Sequence, residues 1–239
     1  MFNEQESIRP LGECLDRMIA QLGELFDLEF ILVDDGSTDG TPEIVADVFG
    51  NRAGFKILRH QTNRGVAAAI ITDAEATAAE VVCSIDSDCT YDPCQLADLI
   101  PMLRDDVVMV TASPYHPEGR VVNVPQWRLM LSRVASLLYG VVLERDLYTY
   151  TSCLRAYRRS VLLKLPLRHD GFVGIAEIVW QLDRRGYGFD ECPAILNVRH
   201  YGQSKMRTAE VAVGHLGLLW RAVCDRICRK AGQMILSAS

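Results

Sequence analysis

The first half of the chain alternates short apolar runs with longer segments of helical periodicity. Apolar residues recur at three- and four-residue spacing over residues 5–26, and short apolar runs follow at 30–33, 55–58, 81–85 and 107–112. The segments between these runs predict helices at 41–50, 63–79 and 93–103. Such alternation is typical of right-handed βαβ units, so we predict an α/β fold with a mostly parallel central sheet.

The second half of the chain has a less regular pattern. Residues 114–125 contain proline, glycine and histidine, which predicts a loop, and this loop is expected to lie over the ligand-binding site. Helices are predicted at 127–142, 155–164, 171–185 and 209–230, and a closing strand is predicted at 195–199. We therefore divide the chain into one domain, residues 1–208, with halves 1–113 and 114–208, and an amphipathic helical extension, residues 209–239.

Charge is distributed unevenly along the 239 residues. Residues 1–120 contain 22 acidic and 8 basic side chains, whereas residues 121–239 contain 9 and 17. An acidic half suits cation binding, and a basic half suits an anionic ligand or an anionic membrane surface. We expect no nucleic-acid partner. With 49% hydrophobic residues, the chain is expected to fold around a substantial core.

The cysteines and the apolar runs predict the cellular location. Eight cysteines are present without paired Cys-x-x-Cys spacing, which favours free thiols in a reducing compartment over a zinc site. The sequence shows no signal-peptide pattern and no apolar run of about 18 residues. We expect a cytoplasmic protein that is at most peripheral to the cytoplasmic face of a membrane.

Two carboxylates follow the apolar run at 81–85. Asp86 and Asp88 are two residues apart, so in an extended segment both side chains point to the same side. At the carboxyl end of a strand in an open α/β sheet, that side faces the ligand crevice. Two adjacent carboxylates repel each other and favour a divalent cation between them. The alternative interpretation is a pair of solvated loop aspartates.

Further carboxylates are expected at the same crevice. Glu4 lies in the loop before the first helix, and Asp34 and Asp35 follow the run at 30–33. Because the carboxyl ends of parallel strands meet at one edge of a sheet, these groups are predicted to converge with Asp86 and Asp88. Asp-Gly and Ser-Thr-Asp-Gly sequences also form turns, which is the alternative role for Asp34 and Asp35.

Five motifs in this chain resemble family 2 glycosyltransferases, with the greatest likeness to the dolichol- or polyprenyl-phosphate sugar synthases. The resemblance covers nearly the whole chain, and the motifs occur in the family's order. They are Phe2-Asn3-Glu4, Val33-Asp34-Asp35-Gly36-Ser37-Thr38-Asp39-Gly40-Thr41, Asn63-Arg64-Gly65, Asp86-Ser87-Asp88 and Arg199-His200-Tyr201-Gly202-Gln203-Ser204-Lys205.

The resemblance implies a GT-A fold and an inverting transfer of a hexose. The donor would be a GDP- or UDP-sugar and the acceptor a polyprenyl or dolichyl phosphate. Asp86 and Asp88 match the motif that binds Mg²⁺ or Mn²⁺ on the donor diphosphate, and Thr90 stands where relatives often carry glutamine as a further metal contact. The positions that match the donor-binding motifs are Glu4, Asp34, Asp35, Asn63 and Gly65.

The basic half supplies the candidates for the acceptor phosphate. Arg128, Ser132 and Arg133 are spaced to meet one phosphate on a helix, and relatives use matching positions for the lipid phosphate. Glu177 is the candidate base if the acceptor is a hydroxyl group, or it orients an arginine. The remaining candidates are Arg155, Arg199, Ser204 and Lys205.

The sequence also departs from the family pattern. The family's first strand, before Phe2-Asn3-Glu4, is absent, so one alternative is a truncated relative that binds ligand without turnover. A second alternative is a sugar hydroxyl as acceptor. A third is a phosphatase of the haloacid dehalogenase type, since Asp86-Ser87-Asp88-Cys89-Thr90 fits its Asp-x-Asp-x-Thr motif.

The helix at 209–230 is expected to lie on a membrane, to pack on the domain or to form a homodimer.

Overall fold

The computed structural model describes residues 1–199 and 208–237, apart from the side chains of Arg128, Thr208 and residues 232–237. Ser204 and Lys205 therefore lie outside the described residues, as does the side chain of Arg128. The helices are α1 (Ile8–Leu22), α2 (Thr41–Phe49), α3 (Val66–Ala76), α4 (Leu96–Leu99), α5 (Gln126–Val142), α6 (Arg159–Leu162), α7 (Phe172–Asp183) and α8 (Thr208–Ser237). The strands are β1 (Phe30–Asp34), β2 (Phe55–Arg59), β3 (Val81–Ser84), β4 (Met109–Ser113), β5 (Arg120–Val122), β6 (Arg155–Arg158), β7 (Phe189–Pro193) and β8 (Ile195–Asn197).

The strands form three groups in the part of the chain that the structure describes. Strands β1 and β2 pair in parallel, and β5 and β8 do the same. The central sheet has the order β3-β6-β4-β7, in which β6 runs antiparallel to both of its neighbours and β4 is parallel to β7. The predicted alternation of strands and helices is confirmed for the first half, and the sheet is mixed because β6 is inserted between β3 and β4.

Two predicted elements differ from the structure. The helix predicted at 155–164 is wrong at its start, since Arg155–Arg158 forms β6 and a helix begins only at Arg159. Its basic composition concealed a two-residue alternation in which Ala156 belongs to one core cluster and Tyr157 to the other. The loop predicted at 114–125 contains β5, which pairs with the closing strand β8.

Helix α7 lies at the centre of the molecule. Every residue from Val173 to Asp183 is buried, so this helix has no solvent-facing stripe. It contacts α3 on one side and α8 on the other. The polar side chains on this helix, including Glu177, are therefore held in the interior of the second half of the chain.

The carboxyl ends of β1 and β3 meet at one crevice, but the two strands belong to separate sheets. Met1 lies between them: its amino group donates to Val33 O and its carbonyl accepts from Asp35 N, both at 2.8 Å. Among the described residues, no strand pairs with the edges of β1 and β3 that face each other.

Candidate functional site

Arg199 connects two carboxylates from opposite sides of the crevice. Its Nη2 donates to Glu4 Oε1 at 2.6 Å, and its Nε lies 3.0 Å from Asp88 Oδ2. Glu4 is buried and also accepts a hydrogen bond from Ser7 Oγ at 2.9 Å. The structure thus brings Glu4 close to the acidic motif, as predicted, and Arg199 lies between them.

Asp86 and Asp88 lie just beyond β3, and both line the crevice. Burial, reinforced by the charge of Asp88, raises the pKa of Asp86 to about 7, while Arg199 opposes the shift. Thr90 donates from its backbone N–H at 3.1 Å and from its hydroxyl at 2.8 Å to Asp88 Oδ1. In this arrangement Thr90 orients Asp88, and a direct contact of Thr90 with a metal stays a prediction.

The donor set of this acidic pair fits a hard divalent cation. Two neighbouring carboxylates repel each other when both are ionised. A small divalent cation bound between them offsets this repulsion. Among the described residues there is no cluster of three or more His, Cys, Asp or Glu side chains suited to a metal. Mg²⁺ typically takes one or two protein carboxylates and completes its shell with substrate phosphates and water, which Asp86 and Asp88 would suit.

Asp35 organises the loop that enters α3. Its carboxylate accepts from Arg64 N at 2.8 Å and from Gly65 N at 2.7 Å, and Asn63 and Gly65 stand with it in the crevice wall. Gly65 has φ +107°, and a Cβ there would come within 2.6 Å of Asp170 O. Glycine is therefore required at this position for the loop to close against residues 169–171.

Asp34 makes different contacts from Asp35 and binds residues of its own turn and of β2. It is 2% exposed, its Oδ1 accepts from Ser37 N at 3.0 Å, and its Oδ2 lies 3.1 Å from Arg59 Nε. These contacts are those of a turn-forming aspartate, the alternative noted from the sequence. Contact of Asp34 or Asp35 with a nucleoside stays a prediction.

Two further residues, His60 and Arg59, support the aspartates that follow β1. His60 is buried with Nδ1 2.6 Å from Asp35 Oδ1 and Nε2 2.9 Å from Thr72 Oγ1. Arg59, the residue before it, pairs with Asp34. In the sequence, only their position points to this role. Both residues stand at the carboxyl end of β2, and β2 is the parallel neighbour of the strand that leads to the aspartates.

Two of the candidates on α5, Ser132 and Arg133, have side chains that the structure describes. Ser132 lies in the crevice wall and shares a hydrogen bond of 3.0 Å with Thr151 Oγ1. Arg133 is exposed, and its guanidinium carbon lies 5.0 Å from the centre of the Tyr115 ring. Adjacent helical residues point about 100° apart, so the two side chains leave the helix in different directions, and their contact with one phosphate stays a prediction.

Arg155 is a core residue, contrary to the prediction that it binds the acceptor phosphate. It is fully buried, and its donors bind Thr111 Oγ1 at 3.2 Å, Ile175 O at 2.7 Å and Tyr150 O at 2.8 Å. Because all three nitrogens donate within the protein, the side chain does not face an acceptor phosphate. It ties β6 to β4 and to the central helix α7.

Replacing Arg155 with alanine is expected to lower the free energy of unfolding by about 3–5 kcal/mol, because it leaves a cavity and removes the guanidinium donors from two buried carbonyl groups. Urea unfolding followed by far-UV circular dichroism measures the loss. Arg158→Ala is the matched control: this neighbour on β6 pairs with Glu80 at the surface, so about 1 kcal/mol or less is expected. Equal losses in both variants would contradict the structural role of Arg155.

Glu177 is also an interior residue. It is fully buried, and its Oε2 accepts from Arg168 N at 2.8 Å, His169 N at 2.9 Å and His169 Nδ1 at 2.9 Å. Its Oε1 lies 3.6 Å from Arg221 Nη1. The expectation of a catalytic base is corrected, while the alternative role of orienting an arginine agrees with this contact.

An apolar cleft between α5 and α8 continues the crevice. The two helices pack together, and Tyr139 OH lies 2.8 Å from His215 Nδ1 where they meet. The residues that line the cleft from these helices include Trp127, Leu131, Val134, Leu138, Val211, Leu216 and Leu219. Beyond it the same helices expose further large apolar side chains, namely Met130, Leu137, Val141, Val213, Trp220 and Ile227. A patch of this kind marks an interaction surface.

None of the described helices combines the length and the apolar character that a membrane crossing requires. Helix α8 includes a run of 30 residues, but basic and acidic side chains recur along it.

Comparison with known proteins agrees with this arrangement. The chain is 27% identical over 191 residues to polyprenol monophosphomannose synthase of Mycolicibacterium smegmatis, covering 77% of this chain and 72% of the relative. It is 25% identical over 234 residues to dolichol-phosphate mannosyltransferase of Pyrococcus furiosus, covering 95% of this chain and 64% of that relative's length.

Solved structures share the fold. Glucosyl-3-phosphoglycerate synthase from Mycobacterium tuberculosis, in complex with Mn²⁺ and uridine-diphosphate-glucose, superposes with a TM-score of 0.63 at 20% identity, covering 94% of this chain and 76% of that one. The predicted GT-A fold is thus confirmed. The model of "Glycosyl transferase family 2" matches residues 1–165, more than half of the sequence. The chain belongs to glycosyl transferase family 2.

Proposed function

We propose that this protein transfers a hexose, with inversion, from a nucleotide-diphosphate sugar to a polyprenyl phosphate, using Mg²⁺ or Mn²⁺ at Asp86 and Asp88. Two relatives named for polyprenol- and dolichol-phosphate mannose synthesis support the acceptor class. A structural neighbour that binds Mn²⁺ and uridine-diphosphate-glucose supports the donor class and the cation. When bound, the cation would supply positive charge to the diphosphate as it leaves.

The observation that carries the lipid acceptor is the apolar cleft between α5 and α8. It opens from the same cavity that contains Asp86, Asp88 and Arg199, so a head group at the acidic motif would leave its hydrocarbon chain between two apolar helices. A sugar or polysaccharide acceptor has hydroxyl groups that such walls do not hydrogen-bond.

The same apolar side chains suggest how the lipid is reached. Trp220 and Val141 are 70% and 72% exposed on the two helices that border the cleft. A face of this kind would lie against the acyl boundary of a membrane and bring the cleft to the level of the lipid phosphate. Peripheral contact with a membrane surface is therefore part of the proposal.

Arg199 is the side chain of the crevice to which we assign a role in stabilising the leaving group. The acceptor phosphate is anionic near neutral pH and attacks the anomeric carbon without a general base, so the protein must mainly align the two substrates. Arg199 stands between Glu4 and Asp88, where its charge would help to neutralise the departing diphosphate. The absence of a base requirement agrees with the burial of Glu177.

Glu177→Gln is expected to retain transfer to within about threefold, because the carboxylate touches loop 168–169 and not the crevice; loss of a general base would instead cost about 10² to 10⁴ in rate. Initial rates at saturating acceptor measure the effect. A thermal melt recorded on the same samples is expected to show a lower Tm, since a buried acceptor of three hydrogen bonds is weakened. A rate loss above a hundredfold with an unchanged Tm would restore Glu177 as a base.

The proposal is tested by letting two acceptors compete. The protein is incubated with Mn²⁺, polyprenyl phosphate, an oligosaccharide mixture and a panel of labelled UDP- and GDP-sugars, and the lipid and aqueous fractions are counted separately. Label is expected in the lipid fraction with at least one donor. Label that enters only the saccharide would overturn the lipid acceptor, and phosphate release from a phosphomonoester without any donor would favour the phosphatase alternative.

A further inference from the structure

Two cysteine thiols lie side by side where α1 meets the acidic loop after β3. Cys14 is buried on α1, and its thiol is in hydrogen-bonding contact with the thiol of Cys89. Both cysteines are free thiols in the structure. Cys89 stands between Asp88 and Thr90 in the sequence, so the pair joins α1 to the loop that carries the acidic pair.

An arginine accompanies the buried thiol. Arg17 lies three residues further along α1, and its Nη2 donates to Cys14 Sγ at 3.2 Å. Oxidants react with the thiolate, and a neighbouring guanidinium favours the thiolate over the neutral thiol. Cys14 is 9% exposed and Arg17 beside it is exposed, so the sulfur lies at the edge of the core, where a small oxidant has access.

The backbone of Cys89 has an uncommon conformation. Its φ is +55°, in the left-handed region that residues with a Cβ rarely adopt. On the two sides of this residue, the Thr90 hydroxyl donates to Asp88 Oδ1 at 2.8 Å, and Asp88 Oδ2 lies 3.0 Å from Arg199 Nε. A movement of Cys89 is therefore expected to disturb the orientation of Asp88.

A third thiol in this region makes a different contact. Cys94 belongs to the short 3-10 helix Pro93–Gln95, which packs against α1. Its thiol pairs with the side chain of Asp92, whose Oδ1 also accepts from Cys94 N at 3.0 Å. Cys94 is thus engaged by Asp92, which leaves Cys89 as the partner of Cys14 and makes Cys94 a matched control.

We propose that Cys14 and Cys89 are a redox modification site, at which a peroxide joins the two sulfurs in a reversible disulfide that displaces Asp88 and weakens cation binding at the acidic pair. Disulfides in reducing compartments are typically transient and redox-sensing, which suits a bond of this kind. The disulfide does not depend on the function proposed above, whereas its effect on the cation rests on that function.

The reaction consumes two thiols and one peroxide. The Cys14 thiolate attacks one peroxide oxygen, the O–O bond breaks, and the departing oxygen leaves as water with the proton that the thiol released. This step oxidises Cys14 by two electrons to a sulfenic acid. The Cys89 sulfur then attacks the Cys14 sulfur, the S–O bond breaks, and the hydroxyl group leaves as water with the proton of Cys89. The products are one disulfide and two water molecules.

Peptide mapping tests the bond directly. The reduced full chain is treated with hydrogen peroxide, alkylated, and digested with trypsin and endoproteinase Asp-N, which separates residues 88–91 from residues 92–97. Mass spectrometry is expected to find the peptide of Cys14 linked to residues 88–91, and dithiothreitol is expected to release it. The bond is expected to persist in Cys94→Ser and to be absent from both Cys14→Ser and Cys89→Ser.

The role of Arg17 is tested by the rate of oxidation. Arg17→Ala is expected to form the disulfide about tenfold more slowly, because the charge that favours the thiolate is lost. Arg9→Ala is the matched control on the same helix, since Arg9 pairs with Asp47 at the surface, and it should oxidise at the wild-type rate. Equal rates in the two variants would remove Arg17 from the site.

Calorimetry with Mn²⁺ alone measures the consequence of the bond. Mn²⁺ affinity is expected to fall at least about tenfold on oxidation and to recover with dithiothreitol, because the loop is drawn toward α1. Cys14→Ser should keep its affinity under peroxide, and Cys89→Ser serves the same purpose if that variant does not fold.

Two results would overturn the proposal. Peroxide that leaves Cys14 unlinked, or links it to a cysteine other than Cys89, would exclude the site. A Cys14–Cys89 bond with unchanged Mn²⁺ affinity would exclude its effect on the acidic pair. If the reduced protein binds no Mn²⁺, the cation site and the switch both fail, while the peptide map still decides whether the disulfide forms.

Discussion

Replacing Asp88 with alanine is expected to lower hexose transfer by about a thousandfold or more, or at least about 4 kcal/mol of transition-state stabilisation. Both members of the acidic pair are partly exposed, and the carboxylate of Asp88 is oriented by Thr90 and paired with Arg199. Without it, Asp86 alone would hold the cation. Initial rates at saturating Mn²⁺ and donor measure the loss, and Mn²⁺ affinity is measured by calorimetry in the same variant.

The control for this variant is Asp105→Ala, which removes an exposed carboxylate far along the chain from the motif. Wild-type rates and equal melting temperatures are expected for the control. If Asp88→Ala retains a rate within tenfold of the wild type, Asp88 is not part of the cation site. If it loses its fold, the conservative Asp88→Asn variant replaces it in the comparison.

Arg199→Ala is expected to change two quantities in opposite directions. In the free protein the guanidinium contacts Asp88 Oδ2 at 3.0 Å and Glu4 Oε1 at 2.6 Å, so its removal frees both carboxylates and Mn²⁺ should bind more tightly. Transfer should nevertheless fall by about 10²-fold, because the charge that assists the leaving diphosphate is lost. Calorimetry without donor and steady-state rates measure the two effects separately.

Arg104→Ala is the matched control, since this exposed arginine pairs with Asp106 and Asp190 away from the crevice. Neither Mn²⁺ affinity nor transfer should change in it. Weaker Mn²⁺ binding in Arg199→Ala would show that Arg199 supports the cation site rather than competing with it. Arg199→Lys is expected to recover part of the rate, because lysine keeps the charge but not the two-pronged geometry.

The first half of the fold was predictable because its helices and strands follow simple periodicities. Strands β1, β2, β3 and β4 lie within two residues of the predicted runs, and the acidic loops meet at their carboxyl ends. Those loops are short, so their positions follow directly from the strands that they leave. The convergence of Glu4 with Asp88 was predicted for this reason.

The second half was harder because charge in the sequence does not distinguish surface from interior. Arg155 has a basic neighbourhood, yet β6 places it between β4 and α7, where backbone carbonyls replace water around its guanidinium. Glu177 lies on a helix that is buried on all sides. Its carboxylate favoured the prediction of a catalytic base, whereas in the structure it accepts hydrogen bonds from the backbone of loop 168–169. For both residues the role depends on packing against elements distant in the sequence, which local sequence patterns do not predict.

The most direct test of the central claim compares two acceptors that differ only in the head group. Polyprenyl phosphate and the polyprenol of equal length are presented separately, with Mn²⁺ and the donor that gives most label, and the product is analysed by mass spectrometry and proton NMR. We expect a glycosyl phosphate of inverted anomeric configuration from polyprenyl phosphate and no product from the alcohol. Equal glycosylation of the alcohol, or retained configuration, would contradict it.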